Sequence, residues 1–323
     1  MGAGDPIREG EGFANPIPIP MGLRSRRREQ RMYTAERYAA IFGEETGEVR
    51  AVREGVNGYR VKTVRAGDTL EIEGYAIWNT QRTAAEARRQ SEKHREQVQA
   101  VNLRNRQKHL RRLINSNFGA GDLLVTLTYG WEQQPADEKA AGKDLRAFLR
   151  RIRRQREKLG LPELKYIYTT EVTHGGLGTR YHHHLILNGG MPREAVEAVW
   201  RKGLINTRIA RPDGHGLSGW AHYMAKRKAT QMKASKRGFN CSRNLRKPKI
   251  TTADHKLSVR RMRELAEDME GHGAEIFGKL YPGYVLTERP EVKWSSWVTG
   301  VYLSARLIRM DAIERDWMRL TTA

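Results

Sequence analysis

The chain has one cysteine, Cys241, among 323 residues. An internal disulfide is therefore impossible, and a zinc finger built on cysteines is excluded. There is no apolar run of membrane-spanning length, and no amphipathic anchor accompanies the basic charge. The opening residues Met1-Gly2-Ala3-Gly4-Asp5-Pro6 lack the apolar core of a signal peptide. Pro6 stands where a myristoylation site has Ser or Thr. A cytoplasmic protein with no membrane partner is expected. Acidic residues are also scarce, with 37 Asp and Glu against 59 Lys and Arg and a net charge of +22. That imbalance exceeds what solubility requires and points to a polyanionic partner, most simply nucleic acid. The charge is clustered: ten Lys or Arg and no acid lie between Lys226 and Lys249, and seven basic residues with one Glu lie between Arg146 and Lys158.

Four regions follow from composition. Residues 1–30 are rich in Gly and Pro and turn basic at Arg24-Ser25-Arg26-Arg27-Arg28, the signature of a disordered basic arm. Residues 31–120 hold a β-hairpin around Ala66-Gly67-Asp68 and then a long polar helix from Gln81 to Asn115. That helix presents a basic face, either solvated or laid on nucleic acid. Residues 121–250 form the organised core. Residues 251–323 form a C-terminal extension: a helical stretch near Asp254 to Phe277, a strand from Tyr281 to Glu288, and a Trp- and Tyr-containing stretch from Trp294 to Arg309. No chemistry attaches to this extension.

Within the core, Leu123 to Tyr129 is a strand. Pro135 opens a helix in which Leu145, Phe148, Leu149 and Ile152 share a face, and Gly160 and Pro162 stop it. Leu164 to Glu171 and Tyr181 to Asn188 are strands on either side of a Gly-rich loop. Pro192 starts a second helix carrying Val196, Val199 and Trp200, and Leu204 to Ala210 is a fourth strand. The order β-α-β-β-α-β is the ferredoxin-like, or RRM-like, α+β pattern. It predicts an antiparallel sheet with helices on one face and the other face free for a ligand. Ser218 can cap a third helix running to about Ser235.

The third strand contains His182-His183-His184. Alternate side chains share a face, so His182 and His184 point the same way, about 6–7 Å apart. If the flanking strands pair about the His174 to Gly178 loop, Glu171 falls opposite His182. Two imidazoles and a carboxylate on one face are a ligand set for a divalent metal that leaves positions open to substrate. A bare His-X-His is more often incidental or structural; the acidic residue at the right register argues against that here. In the third helix, Tyr223 and Lys226 are three apart and adjacent on the surface. A nearby cation favours the ionised tyrosine and attracts phosphate. Together these residues could make a phosphotransfer site with a covalent tyrosyl intermediate.

From about Gly121 to Ile250 the chain resembles the HUH endonucleases, specifically the rolling-circle replication initiators of phages and plasmids. The resemblance rests on Thr126-Leu127-Thr128-Tyr129, Glu171, His182-His183-His184 and Tyr223-Met224-Ala225-Lys226. It implies that His182 and His184 bind a divalent cation, Mg²⁺ or Mn²⁺, with Glu171 as third ligand. It also implies that Tyr223 is the nucleophile and Lys226 its basic neighbour. Two departures stand out. The residue between the paired histidines is usually hydrophobic in that family, and here it is His183. That allows a slipped register in which Tyr181 and His183 face the metal, although Leu185 and Leu187 would then turn away from the helices. There is no second tyrosine near Tyr223, so a single-nucleophile version is expected.

The expected function is site-specific nicking of single-stranded DNA at a replication origin, with a 5′-phosphotyrosine link and a free 3′ hydroxyl for a host polymerase. Without a helicase motif, strand separation falls to a host helicase. Lys228, Lys233, Lys236, Arg237, Arg243, Arg246 and Lys247 are the expected DNA contacts. A relaxase or transposase would use the same chemistry. A metal-dependent hydrolase would cleave with water, and a non-catalytic basic nucleic-acid-binding protein would not cleave at all.

Overall fold

The computed structural model describes residues 58–77, 95–175, 178–225, 238–254, 256–267, 269–295 and 298–321. In chain order the elements are β1 (Gly58–Ala66), β2 (Thr69–Ile77), α1 (Arg95–Asn117), β3 (Leu123–Tyr129), α2 (Glu138–Lys158), β4 (Tyr166–Gly175), β5 (Gly178–Leu187), α3 (Arg193–Glu197), β6 (Gly203–Ile209), α4 (Ser218–Ala225), β7 (Asn240–Cys241), β8 (Lys249–Asp254), α5 (Val259–Glu267), α6 (Met269–Leu280), β9 (Tyr284–Leu286), β10 (Glu291–Ser295), β11 (Val298–Arg309) and α7 (Met310–Thr321).

The segment β3-α2-β4-β5-α3-β6 builds an antiparallel sheet in the order β6-β3-β5-β4, with β7 added at the β4 edge. This is the α+β, ferredoxin-like arrangement that the element order predicts. Asp137 caps α2 by accepting a hydrogen bond from the Ala140 amide, so the helix begins three residues after Pro135. Ala141, Leu145, Phe148, Leu149 and Ile152 of α2 are buried against Val125, Leu127, Leu185 and Leu187. These strand residues all lie on one sheet face, as their two-residue period requires. The six basic residues of Arg146–Lys158 other than Arg156 are exposed, and Arg151 among them reaches the Val199 carbonyl. Arg156 is instead buried and donates to the carbonyls of Pro162, Asn188 and Gly189, tying the helix end to the loop after β5.

Gly203 begins β6 at φ 139°, a backbone conformation that favours glycine. A Cβ there would run into the main chain of Thr128, Tyr129 and Gly130. The absent side chain lets β6 lie along the end of β3.

The opposite face of the sheet is not bare along its whole length. Leu124, Ile167 and Ile186 stand on it and pack with Leu110, Leu113 and Ile114 of α1, with Phe118 just after it, and with Ala221 and Met224 of α4. Three apolar side chains at one end of a sheet face need a cover. The polar end of the same face is left for the site.

The regions on either side of the core share a second antiparallel sheet, in the order β10-β11-β2-β1-β8 with β9 alongside β11. The hairpin turns at Gly67-Asp68, as expected, and Gly67 has φ 61° close under the Asn115 carbonyl. The C-terminal stretch completes a separate core: Val301, Tyr302, Leu303, Ala305 and Leu307 bury against Leu70, Ile72, Met262, Leu265 and Phe277. Residues 31–57 and 78–94, and with them the first part of the expected long helix, lie outside the described residues, as does the arm at 1–30.

The basic face of α1 has a definite use over its second half. Arg111 and Arg112 pair with Glu71 at 2.6 and 2.7 Å, and Lys108 pairs with Glu73. Glu71 and Glu73 are both buried on β2. Burial pushes the Glu71 carboxyl up, but the guanidinium groups of Arg111 and Arg112 outweigh it and hold its pKa below the ordinary 4.5. A carboxyl with a depressed folded pKa stabilises the fold above its unfolded pKa, and the contribution is lost as pH falls through the folded value. Acid unfolding below about pH 4.5 is therefore expected to include protonation of Glu71. Glu71→Gln should lower stability at pH 7 by about 3–5 kcal/mol, because two arginines lose their counter-charge in a buried setting. The same variant should show a shallower stability loss between pH 5 and 3 in denaturant titrations; an acid limb as steep as wild type would remove Glu71 as its source.

Candidate active site

The register of the first sheet aligns the site in rows. One row reads Leu204, Thr128, His182, Glu171 across β6, β3, β5 and β4. The next reads Asn206, Thr126, His184, Thr169, and the third reads Arg208, Leu124, Ile186, Ile167. The pairing of Glu171 with His182 is the one expected from the hairpin. The third row is the apolar end covered by α1 and α4; the first two are polar apart from the exposed Leu204 at the β6 edge.

Each site histidine is held by a threonine from the neighbouring strand. Nδ1 of His182 lies 3.2 Å from Thr128 Oγ1, and Nδ1 of His184 lies 3.3 Å from Thr126 Oγ1. Hydrogen bonding at Nδ1 leaves Nε2 as the nitrogen presented by each ring. Nε2 of His184 lies 3.1 Å from Oε2 of Glu171, one row away on the diagonal. Burial and then the neighbouring His184 lower the pKa of His182, and Arg180 adds to this while Glu171 opposes it. His182 is thus a neutral imidazole near pH 7, the form that can donate a lone pair.

His183 points the other way and is completely buried. Its Nε2 lies 3.1 Å from the Tyr129 hydroxyl and its Nδ1 2.9 Å from Thr170 Oγ1. Burial, with smaller contributions from His184 and His182, pushes its pKa down to about 3. Tyr181, Leu185 and Leu187 share this face and lie in the α2-side core. The slipped register is therefore not the one adopted.

The third helix brings Tyr223 to the same place. Ala221 and Met224 are buried under α4. Trp220 and Tyr223, three apart, turn toward the sheet together. Their rings stack at 5.0 Å, and the Tyr223 ring meets the edge of the His184 ring at 4.8 Å. Tyr223 remains 48% exposed, so its ring is held while its surface stays open to a ligand.

The structure thus gathers Glu171, His182, His184 and Tyr223. Among the described residues, no group of three or more His, Cys, Asp or Glu side chains stands close enough to hold a metal ion. The chemistry of the donors still suits a divalent ion: two imidazoles and a carboxylate share one sheet face, with His184 buried and Glu171 partly exposed. Lys226, Lys228, Lys233, Lys236 and Arg237 lie outside the described residues. Arg243, Arg246 and Lys247 lie between β7 and β8, and all three are exposed. The main chain of Arg246 is gripped by the Asn117 side chain at the end of α1, which donates to its carbonyl and accepts from its amide. Sequence reasoning missed the structural roles of Thr126, Thr128 and Trp220. The alternation of Thr126 and Thr128 on β3, matching that of His184 and His182 on β5, is the signal that could have revealed the first two.

What the fold and the site define is a ferredoxin-like α+β domain with a histidine, carboxylate and tyrosine cluster on its open sheet face. Residues 122–228 match the model of the replication-associated protein ORF2/G2P family, about a third of the chain. The matched segment contains every one of the clustered residues, and it agrees with the resemblance to rolling-circle replication initiators. No curated protein and no solved structure gives a significant match. Among the described residues no helix is long and apolar enough to cross a membrane.

Proposed function

We propose that the chain is a metal-dependent endonuclease that nicks single-stranded DNA at an origin and starts rolling-circle replication. The observation that carries this reading is the contact of the Tyr223 ring with His184, one row from the Glu171–His182 pair. The match to replication-associated proteins supports the setting in which such a site would act.

The Tyr223 hydroxyl attacks a backbone phosphorus. An O–P bond to the tyrosine forms, the bond from phosphorus to O3′ breaks, and the 5′ phosphate stays on the protein. The tyrosine proton is given up and O3′ takes one up, so no water is consumed. A divalent ion, Mg²⁺ or Mn²⁺, held by His182, His184 and Glu171, would supply positive charge for the phosphate oxygens. Thr128 and Thr126 hold the two imidazoles in orientation, and Trp220 holds the tyrosine ring. Lys226, three residues on in sequence, would attract the incoming phosphate. The free 3′ hydroxyl suits extension by a host polymerase, with a host helicase opening the duplex.

The test is incubation of the full chain with labelled single-stranded DNA and Mn²⁺, resolved on a denaturing gel. A labelled band migrating with the protein is expected. Cleavage without such a band would indicate attack by water, and neither product would leave a nucleic-acid-binding protein.

Basic residues hold the strand through its phosphates. Neutral replacements of Lys233, Lys236, Arg237 and Arg243 together should weaken binding to all sequences alike. The log–log salt dependence of affinity should flatten by about 0.7 for each single-strand phosphate that the variant no longer neutralises. Salt titrations of equal slope for wild type and the four-site variant would assign these residues to a solvated surface instead.

A further inference from the structure

Past the first row of the sheet, the chain exposes an aromatic side chain beside a cation. Trp131 follows β3 in a short 3-10 turn and is 60% exposed. The Arg180 guanidinium lies over its ring, 5.3 Å from the centroid. Arg180 precedes His182 by two residues on β5, so it stands on the face that carries the site. Its charge is felt at His182, where it lowers the imidazole pKa. Leu204, paired in register with Thr128, is 76% exposed on the same face of β6. Neither Trp131 nor Arg180 belongs to any of the three apolar cores, so the indole is not placed by packing and stays open beside a cation.

We propose that Trp131 and Arg180 form a nucleobase subsite for the single strand, adjoining the reacting phosphate. The inference rests on the nicking function proposed above. The indole offers one face for a base to stack on, Arg180 meets the phosphate or the base edge beside it, and Leu204 provides apolar contact at the neighbouring edge strand. A nucleotide combines a flat π-surface with a negative charge, and this pair combines the complementary features at one place. The net charge of +22 favours that polyanion over a neutral aromatic ligand. The subsite fixes which nucleotide flanks the scissile bond and so contributes to positioning the strand.

The experiment compares an oligothymidylate with an abasic strand of the same length, by fluorescence anisotropy on the full chain. Wild type should bind the base-bearing strand more tightly. Trp131→Ala should lose roughly 5- to 150-fold in affinity for that strand, the worth of one base–aromatic stack, with little change for the abasic strand. Trp131→Phe should recover much of the loss. Arg180→Ala should weaken both strands and reduce the salt slope by about 0.7. Trp131 sits on an exposed turn, so its replacement should leave the melting temperature unchanged. Equal weakening on both strands, or none, would overturn the subsite and leave Trp131 and Arg180 as a surface pair. The covalent-adduct assay is read separately. An adduct from wild type with no base-dependent loss in Trp131→Ala removes the subsite and keeps the nicking function. A base-dependent loss without any adduct keeps the subsite and removes the nicking function.

Discussion

Tyr223→Phe is expected to bind single-stranded DNA nearly as well as wild type and to form no covalent adduct. The substitution removes one oxygen and keeps the ring. The stack on Trp220 at 5.0 Å and the edge contact with His184 at 4.8 Å are therefore retained, and the fold should be untouched. The hydroxyl oxygen that disappears is the only atom of the side chain able to attack phosphorus. Removal of a covalent nucleophile typically costs about 10⁴-fold or more, and here no intermediate can form at all. The measurement is a denaturing gel for the adduct alongside anisotropy for binding. Tyr181 is not available as a substitute nucleophile. It lies on the α2 side of the sheet, 7% exposed, and burial raises its pKa. An adduct formed by the Phe variant would place the nucleophile on another residue and remove Tyr223 from that role.

How much of this was legible in the sequence depended on whether the controlling force was local. The two-residue period of a strand is local geometry, so the opposite orientation of His183 from His182 and His184 could be read directly. The β-α-β-β-α-β order followed from runs of apolar residues punctuated by Gly and Pro. The hairpin register that sets Glu171 against His182 followed from the length of its loop. Partnerships between distant segments were not legible. Nothing near β1 and β2 indicates that β11 and β8 will flank them, since such pairing depends on surfaces separated by more than 150 residues. The second half of α1 looked like a basic face, with binding to nucleic acid as one alternative, because Glu71 and Glu73 are over 30 residues away. The cover over Ile167 and Ile186 was hidden for the same reason. Leu110, Leu113 and Ile114 are thinly spaced in a polar helix, and only the folded sheet shows what they face.

His182→Ala and His184→Ala should each abolish metal-dependent cleavage, whereas His183→Ala should keep the chemistry and lose stability. The two outer imidazoles turn Nε2 to the Glu171 side of the sheet, His184 meeting its carboxylate at 3.1 Å, with Nδ1 taken by Thr128 and Thr126. Removing even a group behind a metal ligand costs about 10–100-fold in metal affinity or activity, so loss of a ligand itself should exceed that range. Thr128→Val and Thr126→Val should fall within it, since each frees an imidazole to rotate while leaving Nε2 in place. His183 belongs to a different balance. Its ring connects Tyr129 and Thr170 through two hydrogen bonds inside the core beside Trp200. Truncation to Ala leaves a cavity and removes a hydrogen-bond partner from Thr170 and from Tyr129, whose hydroxyl keeps only the Ala141 carbonyl, a cost of about 2–5 kcal/mol. The effect should appear as a lower melting temperature, with cleavage recovered when the assay is run cold. Thermal melts, calorimetric Mn²⁺ titration and cleavage gels on the five variants separate the two roles. A His183→Ala protein that melts like wild type but neither binds Mn²⁺ nor cleaves, together with an active His182→Ala, would reverse the assignment of the two sheet faces.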